Sequence, residues 1–191
     1  MIKPKLHHVT FKTTRLDEMI RWYGLVIGAE VNFRDKGAAW TTNDNANHRI
    51  AFLAAPGLED DDKRTSHNGM HHCAFEFDSF DELMDSYYRL RKAGIAPAFC
   101  LDHGMTISLY YKDPEGNYVE MQSDVFGDWE LSTEFMRTSS DFATNPIGTF
   151  FDPARVYEQF KAGADFKTLQ KSIRAGAFLP TQIPAIGLPT P

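Results

Sequence analysis

The hydrophobic pattern of the first third of the chain predicts a strand, a helix and then three more strands. Apolar residues mix with polar ones at strand-like spacing over residues 5–12. After Thr13 and Thr14, which can cap a helix, apolar residues recur at helical spacing over residues 16–23, and Gly28 ends the helix. Three short β-prone runs separated by turn-forming residues follow at 29–34, 38–42 and 48–54. A βαβββ module is therefore predicted over residues 5–55.

The same order of patterns returns after a charged, apolar-poor linker at residues 56–70. A strand is predicted at 71–77 and a helix at 80–90, closed by Gly94. Three strands are then predicted near 97–101, 106–111 and 118–122. The last two are joined as a β-hairpin by residues 113–117, Asp-Pro-Glu-Gly-Asn, because proline presets a turn and glycine tolerates positive φ. A second βαβββ module is therefore predicted over residues 71–122.

The two modules are copies of one unit, because a single shift of the chain superposes residues of both. That shift aligns His7 with His71, His8 with His72, Phe11 with Phe75, Asp17 with Asp81, Glu18 with Glu82 and Tyr23 with Tyr87. We therefore predict one α+β domain of two tandem modules over residues 1–123. Residues 124–191 are predicted to be a tail packed on this core, with helices at 129–136, 156–161 and 166–175 and a proline-rich, extended end at 179–191.

Composition narrows the classes of function. The 191 residues are 42% hydrophobic, which is enough for a core that needs no disulfides. The net charge of -6 is dispersed and leaves no basic patch, so nucleic acid is excluded as a partner. Two cysteines, the lack of an apolar leader and the lack of a membrane-length apolar run predict a cytoplasmic protein that has no membrane partner.

Strand alternation distinguishes the two histidines of each His-His pair. The apolar side chains of the first strand share a face with His7, and those of the fifth strand share a face with His71, so both histidines are expected on the packing side. His8 and His72 then lie on the opposite face. In the last strand of the second module the same rule separates Glu120 from its apolar neighbours.

Three metal-ligating side chains, His8, His72 and Glu120, are thus expected to face a common interior. A single strand histidine is more often a hydrogen-bonded core residue, but repetition at the same register in both modules favours a shared metal site. Two imidazoles and one carboxylate with open coordination positions are the ligand set of non-haem iron enzymes. We therefore predict an Fe(II) site, with Mn(II) as the alternative ion.

The residues that carry this pattern resemble the vicinal oxygen chelate superfamily. Its glyoxalases, bleomycin-resistance proteins and type I extradiol dioxygenases are similar in the His-Val and His-Cys-Ala-Phe strand openings and in the segment Asp-Pro-Glu-Gly-Asn-Tyr-Val-Glu. The resemblance covers residues 5–123. It implies two βαβββ modules that form a half-barrel around a divalent metal, with the family's ligand positions on His8, His72 and Glu120.

Within that superfamily the chain is most similar to single-domain extradiol catechol dioxygenases. Glyoxalase I places a fourth acidic or amide ligand on the last strand of the first module, where this chain has only Asn47 and His48. The resemblance implies that His48 is an acid/base beside bound oxygen and that Tyr110 hydrogen-bonds a substrate oxygen. More loosely, it implies that His103 lies near the substrate. Residues 141–153 resemble C-terminal extensions of dioxygenase homologues and are expected to strap the core, lid the pocket or contact a partner subunit.

The predicted function is Fe(II)-dependent extradiol ring opening of a catechol-type diol with dioxygen, in aromatic hydrocarbon catabolism. The partners are a small aromatic diol and dioxygen, and we expect a homo-oligomer. One alternative is another metal enzyme on the same scaffold, a glyoxalase-like isomerase or a thiol transferase. The other is a metal-free protein that binds an aromatic drug, against which the complete ligand set argues.

Overall fold

The computed structural model describes residues 1–61, 63, 67–183 and 186, and over these residues the chain is α+β, as predicted. The chain forms two compact units. The first unit consists of residues 1–68 and 112–117, and the second of residues 69–111 and 118–191. The predicted linker at 56–70 and the predicted extended end at 179–191 lie partly outside the described residues.

The first unit has the predicted βαβββ order. Its elements are β1 (Val9–Lys12), α1 (Leu16–Ile27), β2 (Glu30–Arg34), β3 (Ala38–Thr42) and β4 (Ile50–Leu53). The strand order in the sheet is β1-β4-β3-β2, with β1 parallel to β4. The core of this unit contains Met19 and Tyr23 of α1 and Phe52 of β4, all fully buried.

The second unit repeats this order. Its elements are β5 (His72–Phe77), α2 (Phe80–Lys92), β6 (Phe99–Asp102), β7 (Thr106–Lys112) and β8 (Tyr118–Asp124). The strand order is β5-β8-β7-β6, with β5 parallel to β8, and a further short strand pairs with β6. Two copies of one topology thus follow from two copies of one hydrophobic pattern.

The C-terminal residues belong to the second unit and extend its sheet. They form α3 (Trp129–Thr138), α4 (Ser140–Thr144), β9 (Thr149–Phe150), α5 (Pro153–Lys161) and α6 (Phe166–Arg174). β9 pairs with β6, and α6 buries Leu169 and Ile173. Gly148 enters β9 at φ 95°, where a Cβ atom would lie 2.0 Å from the carbonyl oxygen of Asp102. Only glycine fits this approach.

The start of helix α1 differs from the sequence expectation. Arg15, and not Thr13 or Thr14, is the N-cap residue, and its side chain makes no capping bond. The carboxylate of Glu115, from the hairpin turn, accepts hydrogen bonds from the backbone N–H groups of Thr14 at 2.7 Å and Arg15 at 3.2 Å. It also accepts from the Thr13 hydroxyl at 2.6 Å and the Arg15 guanidinium at 2.7 Å. A distant carboxylate therefore binds the N–H groups of the two residues that precede this helix, and the Thr13 hydroxyl also accepts from the Arg15 N–H at 2.8 Å.

Two expectations from composition can be compared with the structure. Cys73 and Cys100 are not joined in a disulfide. Among the helices of the described part of the chain, none has the length and apolar character needed to cross a bilayer.

Candidate metal and catalytic site

In the second unit, His72 and Glu120 project from neighbouring parallel strands onto one face of the sheet. His72 is in register with Tyr118, and Ala74 with Glu120, so alternate residues of the two strands share that face. The Nε2 atom of His72 lies 3.0 Å from Oε2 of Glu120. The Glu120 side chain is 7% exposed and that of His72 is 32% exposed, so the pair has one side open to solvent.

The other carboxylate oxygen of Glu120 contacts Tyr110 and His103. The Tyr110 hydroxyl lies 2.8 Å from Glu120 Oε1 and 2.9 Å from His103 Nε2. A carboxylate can only accept, so the hydroxyl donates to Glu120 and its oxygen accepts from the N–H of His103. The structure thus brings together all four site residues that the sequence places in the second module: His72, His103, Tyr110 and Glu120.

The protonation states of this cluster follow from its burial and hydrogen bonds. Burial alone disfavours the charged form of Glu120, but hydrogen bonds from His72, Ser108 and Tyr110 outweigh it and hold the pKa of Glu120 below its ordinary value. Burial, strengthened by the negative charge of Glu120, raises the pKa of Tyr110. Burial lowers the pKa of His103 although Glu120 opposes this. Near neutral pH the cluster therefore holds a carboxylate, a neutral phenol and a neutral imidazole.

In the first unit, three histidines lie together. The ring of His8 is 4.3 Å from that of His48, and the ring of His7 is 5.2 Å from that of His48. One ligand atom from each of the three lies within 4.8 Å of the others, close enough for a metal ion. His48 Nδ1 lies 2.7 Å from the amide oxygen of Asn47 and donates to it, which leaves the lone pair of neutral His48 on Nε2. Burial, followed by the neighbouring His8 and His7, lowers the pKa of His48.

The expectation that both first histidines pack is wrong for His7, which is exposed, whereas the ring of His71 stacks on Tyr118. His7 is exposed and its Nδ1 lies 3.0 Å from Nδ1 of His8. His71 is half-buried and its Nδ1 lies 2.7 Å from Nδ1 of His72. The reason is that β1 begins at Val9 and β5 at His72, so both residues precede the strands in which side chains alternate. The repeated His-His pair was the sequence signal for these contacts.

The donor atoms of the second unit fit a divalent metal. Two ligand atoms that bind one ion at about 2.1 Å and at right angles lie about 3.0 Å apart. The His72 Nε2 to Glu120 Oε2 distance is 3.0 Å, which also suits a shared proton. One imidazole nitrogen and one carboxylate oxygen are the donors expected for Fe(II) or Mn(II).

Comparison with known proteins identifies the family. Residues 5–121 match the model of the Glyoxalase/Bleomycin resistance protein/Dioxygenase superfamily. The chain is 39% identical over 161 residues to biphenyl-2,3-diol 1,2-dioxygenase 2 of Rhodococcus globerulus, covering 84% of this chain and 83% of the relative. It is 37% identical over 182 residues to biphenyl-2,3-diol 1,2-dioxygenase 3 of the same organism, covering 95% and 94%.

Solved structures support the fold. A glyoxylase/bleomycin resistance protein/dioxygenase domain from Frankia sp. EAN1pec superposes with a TM-score of 0.55 at 21% identity, covering 66% of this chain and 96% of that domain. A likeness at this identity concerns the architecture alone. Because the superfamily model matches more than half of the chain and both curated relatives align over most of it, the chain belongs to the Glyoxalase/Bleomycin resistance protein/Dioxygenase superfamily.

Proposed function

We propose that the protein is an extradiol dioxygenase that opens the ring of a catechol-type aromatic diol with dioxygen. The observation that carries this proposal is the arrangement of His72, Glu120, Tyr110 and His103 on one face of the second sheet. This arrangement places two side chains that can bind a metal beside a neutral hydroxyl that can donate a hydrogen bond. The names of both curated relatives, which specify cleavage of biphenyl-2,3-diol, support this reaction over an isomerase, a transferase or a drug-binding protein.

The proposed iron ligands are His8, His72 and Glu120. Support for His72 and Glu120 comes from their donor geometry, and support for His8 comes from its place in the repeat, where it matches His72. When bound, Fe(II) supplies a Lewis acid and a redox connection between the diol and dioxygen. Mn(II) has the same preference for such donors and is the alternative ion.

In this proposal Tyr110 orients the diol. Its hydroxyl is protonated, buried and hydrogen-bonded to Glu120, so it can redirect that proton to a substrate oxygen beside the metal. His103 holds the Tyr110 oxygen through Nε2 at 2.9 Å and thereby fixes the direction of the hydroxyl. When the diol binds, the Tyr110 hydroxyl exchanges its hydrogen bond to Glu120 for one to the substrate. Because the hydroxyl is already buried, it does not have to be desolvated at this step.

The proposed acid/base residue is His48. Its Nδ1 proton is held by Asn47, and its Nε2 lone pair lies on the side of the ring available for proton transfer. Its ring lies 4.3 Å from that of His8, a proposed iron ligand. A proton taken from the diol can therefore be kept close to the metal and returned during ring opening.

The test of this function is oxygen uptake by the iron-loaded protein. The protein is purified anaerobically, loaded with Fe(II), and mixed with a panel of catechols that includes biphenyl-2,3-diol. We expect one dioxygen consumed per diol, both labelled oxygen atoms in the product, and the visible absorbance of a ring-fission product. Bound iron without oxygen uptake on any catechol would refute the proposal. Isomerisation or thiol transfer by the same preparation would favour the alternative enzymes.

Replacing His48 with Ala tests its role separately. We expect kcat to fall by about 100-fold or more with iron retained, because general acid/base catalysis contributes about 10²–10⁴-fold. The matched control is His67→Ala, which changes an exposed linker histidine bonded to Asp61 and should leave kcat unchanged. Loss of iron from His48→Ala would instead identify His48 as a ligand, in line with its place in the three-histidine cluster.

The edge strand of the first sheet and the two cysteines bear on assembly and location. β2 is at the edge of the first sheet, and all five of its residues are exposed, including Val31 and Phe33. An exposed apolar edge strand favours pairing with another chain, so we propose a homo-oligomer. Two cysteines that form no disulfide favour a reducing, cytoplasmic location.

A further inference from the structure

His71 connects the C-terminal tail to His72 through a chain of hydrogen bonds. Its Nε2 lies 3.3 Å from the backbone carbonyl oxygen of Ile186. Its Nδ1 lies 2.7 Å from Nδ1 of His72, and Nε2 of His72 lies 3.0 Å from Glu120. All four residues belong to the second unit. The chain therefore runs from a backbone carbonyl to a proposed iron ligand.

The carbonyl at one end decides the direction of the two hydrogen bonds that His71 makes. A carbonyl oxygen can only accept, so Nε2 of His71 carries a proton. Neutral His71 then has its lone pair on Nδ1, where it accepts from His72. His72 accordingly carries a proton on Nδ1. Its Nε2 lies 3.0 Å from Oε2 of Glu120 and is the ring atom left for the bond that a shared proton or a metal ion makes between these two side chains.

We propose that His71 is a positioning residue that holds His72 in the tautomer that binds the metal through Nε2. This inference rests on the proposed function, in which His72 and Glu120 are iron ligands. Neutral imidazole has two tautomers, and the one with its proton on Nε2 cannot bind a metal there. A neighbouring group that accepts a hydrogen bond from Nδ1 favours the tautomer that can bind a metal through Nε2. Such hydrogen-bond partners of ligands contribute about 10–100-fold to metal affinity.

The ring of His71 lies among aromatic and apolar side chains. It stacks on Tyr118 with ring centroids 5.3 Å apart and an interplanar angle of 28°. The Ile186 side chain packs against the buried cluster that contains Tyr110 and Tyr118. His72 also contacts the edge of the Tyr110 ring at 5.3 Å. The tail thus supplies both the carbonyl and part of the packing that orients His71.

The repeat provides a second instance of the same contact. His7 and His8 approach each other through Nδ1 at 3.0 Å, as His71 and His72 do at 2.7 Å. In both modules the proposed ligand is the second histidine of the pair. The duplicated His-His sequence therefore has a physical reason: one histidine binds the metal and its predecessor orients it.

The test compares two replacements of His71 in the full-length protein. His71→Phe keeps a ring to stack on Tyr118 but cannot accept a proton, whereas His71→Asn keeps an acceptor near the position of Nδ1. Binding of Fe(II) under anaerobic conditions, and of diamagnetic Zn(II), is measured by competition with a chromophoric chelator. We expect His71→Phe to raise the Kd by about 10–100-fold and His71→Asn to recover most of that loss. His67→Phe, on an exposed histidine, is the control and should not change the Kd.

The tautomers are read directly in the unmodified protein, whether or not the variants fold. Long-range nitrogen-proton NMR of the Zn(II)-loaded, histidine-labelled protein should show His72 protonated on Nδ1 and His71 protonated on Nε2. A proton on Nδ1 of His71, or His71→Phe with an unchanged Kd, would overturn the inference. If metal affinity depends on His71 but the iron-loaded protein consumes no oxygen with any catechol, only the proposed function is refuted.

Discussion

Glu120→Gln is expected to lose bound Fe(II) and nearly all dioxygenase activity. The change is almost isosteric, but it replaces the buried anion of the proposed ligand set with a neutral amide. It also allows an NH₂ group to face Nε2 of His72, which now lies 3.0 Å from a carboxylate oxygen. Outer partners alone contribute about 10–100-fold to metal affinity, so losing a direct ligand should cost more than about 100-fold.

The measurement is iron content after gel filtration, followed by oxygen uptake at saturating diol and added Fe(II). Glu76→Gln is the matched control, because Glu76 of β5 lies on the same face of the sheet as Glu120 but is exposed and accepts hydrogen bonds from Gln122 and Trp129. We expect this control to keep its iron. Stoichiometric iron in Glu120→Gln would show that the carboxylate is not a ligand.

Glu115→Gln is expected to cause the largest loss of stability. The carboxylate, 4% exposed, is the common acceptor for the start of α1 and for the Arg15 guanidinium. An amide has one oxygen fewer and no charge, so some of these donors lose their partner. Loss of a buried hydrogen bond or charge partner costs about 1–3 kcal/mol or more, so we expect about 2–4 kcal/mol of unfolding free energy to be lost in urea titrations.

Asp60→Asn is the control for this prediction. Asp60 also binds Arg15, at 2.8 Å, but its side chain is 55% exposed. Exposed ion pairs contribute about 0–1 kcal/mol, so this variant should unfold close to the unmodified protein. Equal losses in both variants would mean that the Arg15 ion pairs, and not the cap on α1, carry the effect.

The same residue predicts how stability depends on pH. Burial opposes the charge on Glu115, but hydrogen bonds from Thr13 and Thr14 and the charge of Arg15 leave its pKa below the ordinary 4.5. A carboxyl with a lowered pKa in the folded state stabilises the protein above the unfolded pKa, and that contribution is lost as the pH falls through the folded pKa. The stability gap between the unmodified protein and Glu115→Gln should therefore narrow in acid. If the difference in unfolding free energy between the two proteins stays constant below pH 4.5, the charge of Glu115 is not the cause of the stabilisation.

Much of the fold was predictable from local patterns. Helical spacing in residues 16–23 and 80–90 and alternation in the strands gave two βαβββ modules, and the structure and the family match confirm them. The helix at 153–161 begins three residues before the predicted start, because Asp152 caps it and Pro153 occupies its first turn. The five-residue helix α4 was not predicted, because one turn offers too few positions for a periodic signal.

In the candidate site, too, local patterns predicted some side-chain directions and not others. Alternation placed His72 and Glu120 on one face because both lie inside strands, where each side chain is opposite in direction to the next. Alternation does not apply to His7 and His71, because both precede their strands. The ring of His7 lies beside that of His48, and the ring of His71 stacks on Tyr118.

By itself, the sequence determined the two modules, the family and the faces of the residues inside strands, because these depend on periodic local geometry that is written into neighbouring residues. Only the tertiary structure decided that Glu115 binds the residues that precede α1 and that the Ile186 carbonyl binds His71. These contacts join residues about 100 positions or more apart. No local period relates such residues, and their pairing depends on how buried polar groups find acceptors once the chain has folded.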